Sequence, residues 1–594
     1  MAAPLVAQLK LGETTSSASG TVSSGYTADY GNQISSDHGW TVGGTGNYNG
    51  SFYSPNFLNY SASVYLNQSR ANSDFQSISD ASGFGVSTSI FGGSKFPGAV
   101  SFSKGYDSEG NYGIPGISDY VTHGNNDEIG VSWSLNLPNK PTLTAGYQLG
   151  NDSYSIYGSN DNGSSSFQNF NLRSNYILEG INLTGFYSKG SSNSLIPEIV
   201  SGGVNTQVQS NSDGFGGGVS DKLPLQGAWS ASVNRSSWNT SYEGVTSTGS
   251  VDTADGFMSL HPTDNFTLSG SIIYSDNLAG QLIEAVVSQG AAAPSALANQ
   301  TSYSLDTQAT GTYIPTQYLQ TTLFVEHQSQ LFDGEDYGVN SYGGSATFSH
   351  KLRGGNFNTT ITFSGNQGTQ SGTDSIGFAA AEHYSDEIAG WHIDESFSYA
   401  QNMQTLLVAY LNSNYSFSGN VRRKFEKLAF SAGGGGSRTA LTDQPGTTSS
   451  SQEYNASIGY SNWISMNGNY AKSSGLALAT GAGLTPVPVP SPALPSDLFT
   501  FYGGTSYSWA VSSAPVHGLT MSSSYSRSNS NTSGTGIAAT NQNEQYSAII
   551  QYQVRKMGFT SGFARLEQGF GGSASPPAIV SSYYAGITRW FNFF

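Results

Sequence analysis

The densest set of chemically competent side chains in this sequence is the run EHYSDEIAGWHIDE. It gathers Glu382, His383, Asp386, Glu387, His392, Asp394 and Glu395 around a short turn at Gly390. Neutral imidazoles and carboxylates are ligands for divalent metals, so such a cluster could hold a cation. Period-two alternation works against it: in WHIDE, His392 and Asp394 fall on the face opposite Glu395, and no recognised ligand spacing is present. The other reading of the same residues is a solvated turn beside a wet wall, and no metal ligand is assigned. No Ser-His-acid or paired-carboxylate arrangement can be assigned either, because residues scattered over strands acquire geometry only when the registers are set. The chain has no cysteine, which removes disulfides, thiolate metal sites, thioether haem attachment and cysteine nucleophiles. The reading is of a non-enzyme, with no catalytic or cofactor-binding residue and no cofactor in the chain itself.

The elements that must position these residues are strands. Compact turns bearing Pro, Gly or Lys recur about every forty residues, and each gap holds two alternating segments. In IGVSWSLNL, Ile129, Val131, Trp133, Leu135 and Leu137 share one face, and Gly130, Ser132, Ser134 and Asn136 the other. Pro138-Asn139-Lys140-Pro141 reverses the chain, and Leu143, Ala145, Tyr147 and Leu149 resume the apolar face. A second hairpin sets Phe170, Leu172, Tyr176 and Leu178 against Asn169, Asn171, Arg173 and Asn175, turns at Glu179-Gly180, and continues through Ile181, Leu183, Gly185 and Tyr187. Burying Asn and Arg in a dry core is costly, whereas a wet lumen accepts them.

Composition agrees with a wall that is greasy on one side. Apolar residues make up 36% of the 594-residue chain and charged residues only 10%, while Gly, Ser, Asn, Thr and Tyr abound. A soluble chain of this length would be expected to show several blocks dense in Leu, Ile and Val. A disordered one would lack the aromatics, which here reach 12%. No run approaches the roughly 18 apolar residues of a membrane helix, so a crossing must be made by a closed sheet. The net charge of −17 argues against nucleic acid as a partner. Met1 to Val6 carry neither a basic nor a long apolar segment, so no intact signal peptide is expected, and an exported protein would be a processed form.

Further short reversals fall near Pro55, Pro97, Pro224, Pro262, Pro315, Gly354, Gly390, Lys424, Trp463, Pro515 and Lys556. The longest connections are expected at 276–300 and 475–497. This asymmetry suits an outer-membrane barrel with short periplasmic turns and longer external loops. The expected fold is all-β: residues 1–14 a periplasmic segment, and residues 15–594 a single antiparallel transmembrane β-barrel of about 26 to 28 strands. A barrel of this size is on the order of 50 Å across, too wide for its own side chains to fill.

Three groups of surface residues follow from that layout. Lys140, Lys222, Arg422, Arg423, Lys424, Arg555 and Lys556 collect at the short turns, where they either dock an acidic periplasmic partner or simply keep the rim solvated. Trp40, Trp133, Trp229, Trp391, Trp463 and Trp590 are the expected membrane-interface aromatics. Glycines at 214, 216, 217 and 218 and from Gly433 to Gly436 either supply bends and bulges or let a folded partner approach the wall.

The last strand, Tyr583-Tyr584-Ala585-Gly586-Ile587-Thr588-Arg589-Trp590-Phe591-Asn592-Phe593-Phe594, resembles the C-terminal targeting strand of Gram-negative outer-membrane barrels, which ends in Phe after alternating hydrophobic positions. Tyr584, Trp590 and Phe594 fit one face as the assembly signal, and Asn592 interrupts it. The resemblance implies the outer membrane of a Gram-negative-type bacterium, contact with outer-membrane lipid, and recognition by the barrel assembly machinery. TonB-dependent receptors and chaperone-usher pores resemble plugged barrels, and no plug-like globular segment is read here. Lipopolysaccharide-transport barrels carry a periplasmic domain and usually cysteines, which are not found.

The expectation is therefore a wide pore or sheath around a separate component. Its most specific form is similar to the large porin of porin-cytochrome complexes, which houses a multihaem cytochrome and passes electrons across the outer membrane; haem would then reside in the partner. Some such porins carry an N-terminal Cys pair that this chain lacks. The alternatives are a general diffusion porin or export channel, and a structural or adhesive surface protein.

Overall fold

The computed structural model describes residues 9–11, 14–32, 36–71, 78–112, 120–156, 162–196, 206–242, 245–277, 301–332, 334–352, 354–369, 374–404, 411–441, 448–461, 463–480, 483–486, 499–534, 537–570 and 576–592. The expected loop at 276–300 lies almost wholly outside these residues, whereas the described parts of the one expected at 475–497 are strand, ending at Thr480 and resuming as Gly483–Pro486. No helix occurs among those described, and 28 strands form one closed antiparallel barrel, the upper end of the expected range.

Closure is made by the first long strand, Thr14–Gly31, and the last, Ala578–Asn592. They pair from Ser19 opposite Asn592 to Gly31 opposite Val580. Asn32 extends this seam. Its amide N–H donates to Ile579 O at 3.2 Å. Its side chain donates to Pro577 O at 2.7 Å and accepts from Ile579 N at 2.8 Å. Every strand thus has two neighbours, the condition for crossing a bilayer without orphaned main-chain groups. Two short strands are added to the wall: Leu9–Leu11 pairs with the start of Thr14–Gly31, and Gly483–Pro486 with Ala477–Thr480.

Alternation follows the reading from sequence. Ile129 is opposite Leu149, Val131 opposite Tyr147 and Trp133 opposite Ala145, while Gly130, Ser132 and Ser134 meet Gln148, Gly146 and Thr144 on the other face. The hairpin at Glu179 and Gly180 turns with φ of 53° and 100°, and the one at Ala389 and Gly390 with 52° and 78°. Two successive positive φ values match the right-handed twist of the flanking strands, which is why two-residue loops suffice. The expected turns all connect strand ends at one mouth of the barrel, called here the short-turn end.

The opposite mouth departs from expectation in one respect. Most of its connections are longer, yet only positions 243–244, 333–334 and 535–536 separate the strands Gly227–Tyr242 from Val245–Thr263, Leu319–Phe332 from Glu335–Leu352, and Leu519–Gly534 from Ile537–Val554. Strands of 14 to 19 residues exceed the nine to eleven that span hydrocarbon, so the wall continues as sheet beyond the membrane.

A barrel of 28 strands tilted near 40° has a backbone diameter on the order of 55 Å. Buried residues are few and concentrate toward the long-loop mouth, where Ala81, Val121, Gln568 and Ala578 are almost fully enclosed. There the strand Ile78–Ile90 lies against Met557–Phe570 and Ala578–Asn592, and Tyr120–Leu135 is bonded to Met557–Phe570.

Candidate functional site

The two faces of the wall carry different chemistry. The outer face is identified by its exposed bulky side chains, which form two aromatic levels. One lies at the short turns: Trp391 packs edge-on against Phe425 and Phe430, with Tyr460 and Trp463 exposed beside them. The other runs strand to strand. Tyr454 stacks on Tyr470, and tilted ring contacts join Tyr507 to Tyr525, Tyr546 to Phe563 and Phe563 to Tyr583, with ring centroids 4.7 to 6.2 Å apart. Register joins Tyr470 to Tyr507 and Tyr525 to Tyr546, so the row is continuous. Tyr454 and Tyr460 are six positions apart, about 20 Å along a strand. The interval holds Ile458, Met466, Ile550 and Ile587, all 45% exposed or more. An apolar band between aromatic levels, about 15 Å tall once the strand tilt is allowed for, is the lipid-facing belt of an outer-membrane barrel.

The belt has a break. Glu395 stands between Ile393 and Phe397 and opposite Tyr384, and Glu382 stands opposite Phe397, which places both carboxylates on the lipid face. His383, Glu387, His392 and Asp394 take the lumen face by the same alternation, with His392 Nε2 3.1 Å from Asp394 Oδ2. Asp386, on the outer face, accepts from the Tyr384 hydroxyl at 2.6 Å. Alternation thus divides the acidic and histidine cluster between two faces, and among the described residues no group of three or more such side chains is placed to hold a metal.

The lumen face is built from short hydroxyl side chains that bond in pairs across neighbouring strands. Thr21 meets Thr45 at 2.9 Å, Ser61 meets Ser87 at 2.6 Å and Ser134 meets Thr144 at 3.2 Å. Farther round, Thr347 meets Thr360 at 2.9 Å and Ser396 meets Ser418 at 2.6 Å. Ser431–Ser457, Ser465–Ser512 and Ser524–Ser547 continue the series at 2.6 to 2.9 Å. A hydroxyl both donates and accepts, so each pair satisfies itself and still offers lone pairs to water. The Ser and Thr content of the polar face was visible in the sequence; their pairing required the registers.

Basic residues in the lumen collect near the short turns, where Glu387 and Asp394 also face inward. Lys222, Lys351, Arg422 and Lys424 alternate onto the lumen face close to the short turns. Asp152, Asp255, Asp306, Glu326 and Glu453 face the lumen seven or more positions farther along their strands. The basic rim expected from sequence therefore divides. Lys222, Arg422 and Lys424 look inward, Lys140, Arg555 and Lys556 occupy turns, and Arg423 faces outward with its guanidinium 5.3 Å from the Trp391 ring and 4.0 Å from that of Phe425.

The expected interface tryptophans divide too. Trp133, Trp229, Trp391 and Trp463 lie on the outer face or turns at the short-turn end, and Trp40, 79% exposed, lies on the outer face toward the other mouth. Trp590 is corrected. It alternates with Arg589 and Phe591, which share the outer face with Ile587, so its ring lies on the lumen face over Gly558. Tyr584 lies on the lumen face as well, and Tyr583, Ile587 and Phe591 form the apolar outer face of the last strand. Counting back from Phe594 set the wrong parity, because the face is fixed by pairing with Phe559 and Phe563. Phe594 itself lies outside the described residues.

The glycine runs have a role not read from sequence. Both sit in uninterrupted ladders without bulges. The Phe186 ring covers Gly216 on the lumen face, and the Tyr454 ring covers Gly434 on the outer face, so the missing side chains are filled by neighbouring rings.

No family model matches the sequence, and no curated protein matches it. Among solved structures, similarity is found to the FrpB iron transporter from Neisseria meningitidis, 9% identical with a TM-score of 0.39 over 97% of this chain and 81% of that one. The siderophore receptor PirA from Acinetobacter baumannii is also 9% identical, with a TM-score of 0.38 over 97% and 80%. PirA from Pseudomonas aeruginosa is 7% identical, with a TM-score of 0.33 over 96% and 80%. The closed 28-strand wall and its apolar belt between aromatic levels make the chain a membrane-spanning β-barrel of the outer-membrane type.

Proposed function

We propose that this barrel is a sheath in the outer membrane of a Gram-negative-type bacterium: a wide transmembrane wall that houses a separate component, most specifically a multihaem cytochrome carrying electrons across the membrane. The observation that carries the reading is the lumen face, a 28-strand enclosure lined toward the short-turn end largely by paired Ser and Thr hydroxyls, whose side chains are too short to fill a wall of this circumference. An open hole of that width would compromise a permeability barrier, which favours an occupant. Insertion from the short-turn side, taken as periplasmic, is supported by Lys222, Lys351, Arg422 and Lys424, which favour an acidic partner there although Glu387 and Asp394 adjoin them.

A second reading, a diffusion porin, is favoured by the acidic upper lumen, which would select cations. Purification in mild detergent separates the two. A sheath brings down a haem-absorbing partner in fixed ratio and conducts poorly in a planar bilayer. A porin purifies alone and gives a large, cation-selective conductance. A chain absent from the outer-membrane fraction overturns both.

A further inference from the structure

The lumen face is not uniform around its circumference. Along the arc from the strand Ile181–Ile196 to the strand Phe266–Ser275, Phe186, Phe257 and Ile273 alternate onto it. They are 40%, 49% and 54% exposed and stand five, six and seven positions from the strand ends Ile181, Thr263 and Phe266 at the short turns. Farther round, at a similar height, the wall presents Ser396, Ser418, Asn455 and Asn469. Phe186 and Phe257 are three strands apart, roughly 14 Å at the usual strand spacing. Gly218, Ser220, Ser230 and Ser232 form the floor between them. The result is a shallow hollow with apolar ridges, wide enough to admit one α-helix, whose girth is about 10 to 12 Å. Apolar side chains held in a wet lumen add little to the wall itself, and a patch of them rimmed by polar groups marks a contact surface.

We propose that this arc is the seat of the luminal protein, which presses an apolar patch onto Phe186, Phe257 and Ile273 and is thereby held in one orientation. Charge sets that orientation. Arg173 lies directly opposite Phe186, and Lys222 ends the floor strand at the short turn, so the partner carries carboxylates on that side. Asp255 and Asp306 face Ile273 from the two neighbouring strands, so it carries cations beyond the patch, toward the long-loop mouth. A small amphiphile is a poor fit, because a ligand site encloses most of its ligand whereas this hollow is open to the whole bore. Only an extended protein surface covers both ridges at once. The inference rests on the sheath reading and adds to it where the occupant sits and which way it faces.

The test uses the full-length barrel in intact outer membranes. The photo-crosslinker benzoylphenylalanine replaces Phe186, Phe257 or Ile273, and for comparison Ser396, Ser418 or Asn469 on the hydroxyl-lined arc. The expected result is an adduct with one haem-staining chain from each of the first three positions, in about tenfold higher yield than from the other three. In mild detergent, a Phe186→Ser, Phe257→Ser, Ile273→Ser variant should retain about tenfold less haem per barrel than wild type, and an Arg173→Glu, Asp255→Lys variant should retain less as well. Heat-modifiable migration reports that each barrel is intact, and an unfolded triple variant is replaced by the three single variants. Equal yields from both arcs overturn the proposal, as does unchanged haem retention by the folded variants. Adducts with lipid alone from positions 186, 257 and 273 also overturn it, since an amphiphile would then occupy the hollow. Absence of a haem-staining adduct at all six positions, with no partner in the purified wild type, sinks the sheath reading itself, a result distinct from a partner that reacts equally at all six.

Discussion

The side chain of Gln568 is hydrogen-bonded to the main chain of Val121, 447 positions away and on a strand that is not its neighbour in the wall. The Val121 N–H donates to Gln568 Oε1 at 2.9 Å, and Gln568 Nε2 donates to Val121 O at 3.5 Å. Gln568 has no exposed surface and Val121 almost none, so the contact is dry; the 2.9 Å bond is the strong one and the 3.5 Å contact is weak. It draws two arcs of the barrel together at the long-loop mouth. Gln568→Ala leaves a buried N–H unpaired, at a cost of about 1 to 3 kcal/mol, and should widen the mouth. The expected outcome is a larger single-channel conductance with unchanged heat-modifiable migration. The chain contains no cysteine, so a Val121→Cys, Gln568→Cys pair would be its only thiols. A short bis-maleimide should join them in the folded barrel and not in the denatured one; failure to join would mean that these arcs stand apart.

The parity of the last strand makes Trp590 distinguishable from Trp133. Trp133 is 44% exposed on the outer face among Val131 and Leu135, whereas the Trp590 ring covers Gly558 on the lumen side. In single-tryptophan variants refolded into vesicles, brominated acyl chains should quench Trp133 strongly and leave Trp590 nearly unchanged. Aqueous iodide should do the reverse. Quenching of Trp590 by brominated lipid would restore the face expected from the C-terminal Phe.

What could be read from the sequence was whatever depends on local period. The alternation through Ile129, Val131 and Trp133, the turn at Glu179-Gly180, and the separation of His392 from Glu395 need only the rule that neighbours on a strand point oppositely. What could not be read depends on which residue lies across from which. Ser396 and Ser418 bond because the strands Trp391–Gln404 and Leu411–Phe425 pair at that offset, and no property of either segment announces it. The last strand shows the limit most clearly. It has large side chains on both faces, Tyr583 and Tyr584 adjoining, so composition leaves its parity open and only the contact of Tyr583 with Phe563 decides it.

Glu395 sits four positions from Trp391 on the lipid face, within the apolar belt. A carboxylate at that depth is unfavourable, though less so than a cation, and a cost of about 1 to 2 kcal/mol is appropriate. Glu395→Leu should therefore stabilise the barrel by that amount in urea-unfolding experiments in vesicles. Glu387→Leu, on the lumen face of the adjacent strand, should give no gain. If Glu395→Leu proves neutral or destabilising, another surface covers this part of the belt, and crosslinking from position 395 would identify it.

Gly434 offers a test of why glycines interrupt otherwise regular strands. A Cβ built there would lie 2.5 Å from the ring of Tyr454 and 3.0 Å from the Glu453 carbonyl oxygen, closer than van der Waals contact allows. Gly434 is opposite Tyr454 on the outer face, and the ring fills the space above it before stacking on Tyr470. Gly434→Val would displace that ring and break the aromatic row, costing about 1 to 3 kcal/mol as overpacking does elsewhere. Removing the ring should relieve much of the damage, so Tyr454→Ala combined with Gly434→Val should be less unstable than the sum of the two single variants. A bend required by the backbone would behave differently, because trimming a side chain cannot restore a conformation that only glycine adopts. Additive losses in the double-mutant cycle would therefore assign Gly434 to backbone geometry, and a coupling of 1 kcal/mol or so would assign it to the ring.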